Sequence, residues 1–228
     1  MKNFKSILFY LLVVVGVVLL ATACEKEDSG GSGAKLGGDT NLPVNQVGST
    51  INGNVRIGST NTPAQFKVVG NNNGVVTVEM GFKIPSNMVN NFKSVAEAFW
   101  GVDYASNEST LIDANNNFKG TFNLVNSSEG VAIVNSKGDH AIIMKYDVKQ
   151  GDSWSYKKKN GKSVKMNVAH KSSTDDYNYS GMLIKTVQVE RESKEPGVSK
   201  IVYIGNHRFG LVGMELYLED GSVTRVYF

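Results

Sequence analysis

Residues 154–168 constrain the fold more tightly than any other stretch. Trp154-Ser155-Tyr156-Lys157-Lys158-Lys159 runs into Asn160-Gly161, and Lys162-Ser163-Val164-Lys165-Met166-Asn167-Val168 returns. Side chains of an extended strand alternate between faces, so Trp154, Tyr156, Val164, Met166 and Val168 share one face, with Ser, Lys and Asn on the other. Asn-Gly supplies the two positive φ values of a type I′ turn and fixes an antiparallel hairpin. The pattern recurs where 65–69 and 75–80 flank Gly70-Asn71-Asn72-Asn73-Gly74, and where 215–219 and 223–227 flank Asp220-Gly221. Further short runs at 119–125, 131–134, 141–148, 182–190 and 200–204 are each bounded by Gly, Asn, Asp or Ser. Connections this short leave no room for parallel crossovers, which need a dozen or more residues. The expected fold is mainly β: an antiparallel, meandering, curved sheet or half-barrel.

One segment departs from this period. Ser86 offers an N-cap after Pro85, and Met88, Phe92, Val95, Ala96 and Phe99 recur at helical spacing before Gly101. This predicts one amphipathic helix over about residues 86–100, with a single apolar stripe to bury against the sheet. No internal repeat is visible. The β-rich domain is expected over 47–228, as one curled sheet or as two sub-sheets meeting near 150. Hydrophobic residues make up 41% of the chain, too many for a disordered polymer. The 24 Lys+Arg stand against 21 Asp+Glu without a basic block, so no nucleic-acid partner is expected.

The N-terminus has a different logic. Lys2 and Lys5 precede an uncharged apolar run, 7–21, and then Ala21-Thr22-Ala23-Cys24. A basic start, a short apolar core and small residues make a secretory signal, and the run is shorter than the ~20 residues of a comfortable spanning helix. The ending resembles a lipobox, the bacterial motif whose cysteine is diacylglycerated, cleaved on its N-terminal side and acylated; it departs from the pattern in placing Ala21 where Leu is favoured. An uncleaved anchor or an ordinary cleaved signal are the alternatives. Cys24 is the only cysteine and cannot form an intramolecular disulfide, which favours lipidation. The expected division is a signal over 1–23 and a lipid-anchored flexible tether over 24–46, rich in Gly and Ser. Cleavage removes Lys2 and Lys5 from the 24 cations, leaving 22 against 21 anions, so the mature chain is near neutral. Glu25-Lys26-Glu27-Asp28 resembles the export signal of surface lipoproteins in the Bacteroidota. The implied partner is a membrane, through the anchor, and the implied location is the outer membrane or cell surface.

Motifs of chemistry are scarce. Gly161-Lys162-Ser163 lacks the first glycine of a phosphate loop, where Tyr156 stands. Asp113, Asn115 and Asn117 match the start of a calcium loop, but Phe118 and Leu124 occupy the positions of its Gly and Glu. His140, His170 and His207 are too far apart in sequence to form a zinc motif, and no cofactor or metal is expected. The most site-like cluster is Asp175 and Asp176 beside Tyr177 and Tyr179, the composition of a carbohydrate- or peptide-binding loop, though a plain long β-turn is the preferred reading.

Gly151-Asp152-Ser153-Trp154, Ser180-Gly181-Met182-Leu183-Ile184, Phe209-Gly210-Leu211-Val212 and the Asp220-Gly221 hairpin together resemble a pattern common in Bacteroidota lipoproteins, over about a third of the chain. Such modules are similar in outline to half-barrel lipoprotein carriers, whose open apolar concavity holds acyl chains. The resemblance implies fold and location but no catalytic residue. The expected function is non-enzymatic binding of a carbohydrate, peptide or protein ligand at the envelope. The alternative is lipid or lipoprotein handling by a half-barrel with an apolar cavity.

Overall fold

The structure is a computed structural model that describes residues 35–57, 59–86, 89, 112–134, 138–157, 163–193 and 198–228. The signal, Cys24, the Asn160-Gly161 turn and all of the expected helix except Ser86 and Val89 lie outside the described residues. Two meanders account for the sheet. The first comprises β1 (Thr50–Ile57), β2 (Thr60–Asn72), β3 (Val75–Lys83), β4 (Asn117–Asn126), β5 (Gly130–Val134) and β6 (His140–Lys145). The second comprises β7 (Ser153–Lys157), β8 (Ser163–Lys171), β11 (Val187–Glu192), β12 (Val198–Asn206), β13 (Gly210–Leu218) and β14 (Val223–Tyr227). A two-stranded hairpin, β9 (Tyr177–Tyr179) with β10 (Met182–Ile184), interrupts the second meander.

Pairing between β1 and β14, with Val55 opposite Val226, fuses both meanders into one twelve-stranded antiparallel sheet, ordered β6-β5-β4-β3-β2-β1-β14-β13-β12-β11-β8-β7. The stretches on either side of 150 are therefore parts of one sheet. Its edges, β6 and β7, are consecutive in sequence and curl toward each other into a nearly closed barrel. The indole Nε1–H of buried Trp154 on β7 donates to the Ile142 carbonyl of β6 at 2.8 Å and bridges the seam. The expected half-barrel is thus closed further than its sequence suggested.

The turns follow local chemistry. Asn73 and Gly74 both adopt positive φ (50° and 85°) between β2 and β3, as a type I′ turn demands. Trp154 opposes Met166 and Tyr156 opposes Val164 on the expected inward face. Asp113 does not open a cation loop: its carboxylate accepts the backbone N–H of Asn115 and Asn117 and the Asn117 side-chain amide, at 2.8–2.9 Å. These bonds, led by that of the Asn117 side chain, hold its pKa below the usual carboxylate value.

Inside, one continuous cluster joins both meanders, including Phe66, Met80, Phe82, Met144, Met166, Ile201, Tyr203, Met214 and Leu216. Ile84, Ile143, Met144, Met166, Ile201, Tyr203 and Leu216 are almost wholly buried there. Burial of such side chains contributes ~1.5–3 kcal/mol each. From Ile201 to Asn206 β12 is buried on both faces, because the β9–β10 hairpin covers its outer side.

Two expectations about boundaries change. The run 182–190 is broken at Lys185 and Thr186, where the chain leaves the small hairpin for the main sheet; the Thr186 N–H is taken by Ser172 Oγ rather than by a strand. Residues 35–46, expected as the end of a tether, lie against the barrel. Asn45, fully buried, donates from Nδ2 to the carbonyls of Thr40 (2.7 Å) and Asn126 (2.9 Å), while its own carbonyl accepts Asn71 Nδ2 at 3.0 Å. One amide thus pins this segment to the β2–β3 and β4–β5 turns. Composition alone could not reveal that anchor.

Candidate functional site

The cluster at 175–179 is split by its own strand. Asp175 is exposed in the turn before β9, whereas Tyr177 and Tyr179, two residues apart, both face the outer surface of β12 and β13. They pack there with Ile184, Val202, Ile204, Val212 and Phe209, and the Tyr179 and Phe209 ring centroids are 5.0 Å apart. Gly213 makes room for Tyr177: a Cβ built there would lie 2.8 Å from the phenol oxygen. Burial, with the nearby charge of Glu215, pushes the Tyr177 pKa up to about 12. Both rings are half-buried in this satellite core.

Asp176 sits between two groups of interest. Its Oδ1 accepts the Ser172 hydroxyl at 2.6 Å, and its Oδ2 lies 3.8 Å from His170 Nε2. The composition is that of a nucleophilic triad, but the order is wrong. A catalytic serine must give its proton to histidine, whereas here the carboxylate takes it and separates the two. The arrangement latches the base of the small hairpin, since Ser172 Oγ also accepts the Thr186 N–H at 3.1 Å.

The other histidines do not join it. His140 Nδ1 accepts the Leu36 N–H at 3.1 Å, and burial, then the nearby charge of Lys35, lowers its pKa. His207 is exposed in the β12–β13 turn. Among the described residues no group of three His, Cys, Asp or Glu could hold a metal ion.

A feature that sequence reading missed lies on the outer face of the first meander. Cross-strand register aligns Thr50, Lys67, Glu79 and Thr121 in one row and Asn52, Gln65, Gly81 and Lys119 in the next, with Lys83 opposite Asn117 beyond. Gly81, lacking a side chain, leaves a groove of about 340 Å³. Gln65, Lys67, Glu79, Lys83, Asn117 and Lys119 wall it, and Lys119 Nζ is 3.0 Å from Glu79. The available signal was the outward half of each alternating strand, which reads as ordinary solvated surface until the register is known. A second cleft, about 300 Å³ and polar, lies beside Asn45 and the β2–β3 turn.

No family model and no curated protein matches this sequence. Among solved structures, a candidate exported protein of Bacteroides fragilis with a YmcC-like fold aligns with 82% of this chain and 95% of its own, at 11% identity and a TM-score of 0.42. A candidate lipoprotein of Parabacteroides distasonis aligns with 84% of this chain and 98% of its own, at 12% identity and a TM-score of 0.39.

Proposed function

We propose that this chain is a lipid-anchored envelope protein that binds its ligand or partner on the outside of a filled β-barrel, without catalysing a reaction. The observation that carries this reading is the packed interior. A lipid carrier of the half-barrel type needs an open apolar hollow, and the inward positions of both meanders are instead occupied by a continuous side-chain cluster. The carboxylate set between Ser172 and His170 argues in the same direction, against hydrolysis. Attachment follows from the lipobox resemblance at Cys24, because two or three acyl chains at ~0.8 kcal/mol per buried CH₂ make a lasting anchor.

The test is fractionation of cells producing the full chain. Native protein is expected in the membrane fraction carrying radiolabelled fatty acid fed to the cells, and Cys24→Ala is expected to carry none. A Cys24→Ala protein that still carries the label, or a native protein that carries none, would refute the lipid anchor.

A further inference from the structure

We infer that the groove over Gly81 is a binding site for a carboxylated sugar, presented as one residue of an acidic glycan. This assignment rests on reading the chain as a binding protein and supplies the class of its ligand. The walls carry Lys67, Lys83 and Lys119 against Glu79, which is paired with Lys119, and Asp113 stands near Lys83 beyond the wall; a positive surplus remains in a chain whose mature form is near neutral. Such a local surplus attracts an anion.

The remaining wall groups say which kind of anion. One side-chain N–H of Asn117 is committed to Asp113 Oδ2 at 2.8 Å, which leaves its second N–H and its amide oxygen to serve hydroxyl groups. Gln65 leans its Nε2 toward Asn52 Oδ1 at 3.5 Å, leaving Oε1 and a second N–H. Glu79 adds a carboxylate. The groove therefore combines cationic donors with acceptors that need hydroxyl donors. Inorganic phosphate, with one or two hydroxyls, would engage few of these amides and would face Glu79; a neutral sugar would leave the surplus positive charge beyond the Lys119–Glu79 pair unanswered. A pyranose bearing a carboxylate meets both demands. The volume of about 340 Å³ falls at the small end of the ~300–1,000 Å³ typical of ligand sites. Beside the groove, Asn52 and Asn54 continue the polar face onto β1, where neighbouring sugars of an extended chain would lie.

Gly81 also provides a clean test. A Cβ there would come no closer than 3.6 Å to its nearest neighbour, the Phe118 carbonyl, so a side chain fills the groove without disturbing the sheet. Full-length protein in detergent micelles would be titrated calorimetrically with an oligogalacturonate, a neutral malto-oligosaccharide of equal length, and inorganic phosphate. The oligogalacturonate is expected to bind at least about tenfold more tightly than either control, and Gly81→Val to weaken it by about tenfold or more. The surface pair Lys67→Gln/Lys83→Gln should do the same even if Gly81→Val failed to fold. Equal affinity for the neutral oligosaccharide or phosphate, or unchanged affinity in the variants, would overturn the assignment. Loss of this binding would leave the fractionation result at Cys24 untouched, so the two readings fail separately.

Discussion

Tyr177 and Gly213 show how a single residue decides the meaning of another. Alternation along 177–179 places the two tyrosines on one face, and that much was legible in the sequence. Whether the shared face meets solvent or protein depends on β13, whose Gly213 accommodates the phenol. We expect Gly213→Ala to push the phenol outward, since a methyl 2.8 Å from the hydroxyl forces the end of the side chain to shift. The Tyr177 pKa should then fall from about 12 toward the ordinary ~10, and stability should drop by about 1 kcal/mol. NMR titration of isotope-labelled tyrosine and a denaturant melt would check both; an unchanged pKa would remove the clamp. Asp176 teaches the same lesson in polar form. Its neighbours Ser172 and His170 were visible in the sequence, but the order of their hydrogen bonds required coordinates.

The elements differ in how much of them could be read in advance. Hairpins announced by Asn73-Gly74 and Asp220-Gly221 form where their turn chemistry places them, because positive φ is a local property. The 182–190 run gave no sign of its break, since both pieces are extended and only their partners differ. The segment 35–46 looked like linker because its glycines and polar residues dominate, and its attachment depends on Asn45 and on backbone contacts. One such contact is sensitive to pH. The Leu36 N–H bond requires an unprotonated Nδ1 on His140, whose folded pKa lies below the ordinary 6.5. Below about 6.5 the unfolded chain takes up the proton more readily than the folded one. The contribution is therefore complete above about pH 6.5 and is lost as pH falls through the lowered folded value. We expect proteolysis within 35–46 to accelerate between pH 7 and pH 5, and His140→Gln to flatten that dependence while His207→Gln leaves it intact. A native protein cleaved equally at both values would sink this account.

At the scale of the whole molecule, antiparallel meandering and the inward face of 154–168 were legible, while closure was not. The Gly-Asp-x-Trp pattern marked a strand start, yet nothing in it says that the indole would reach across to β6. Trp154→Phe keeps an aromatic ring in place but deprives the Ile142 carbonyl of its donor. The expected cost is about 1–3 kcal/mol in urea unfolding, with faster amide exchange along β6 and β7; a loss under ~0.5 kcal/mol would mean the seam is held by other contacts. The strand order has a further consequence, for timing. As a chain emerges from its N-terminus, β1 to β6 can pair in succession, each strand finding the one just before it. The free edge of β1, however, must wait for β14, the last strand to appear. Such a pairing is slow, because its ends are joined by nearly the whole domain. Until then the two meanders are separate open ribbons, and the barrel becomes a barrel only once β14 has reached β1.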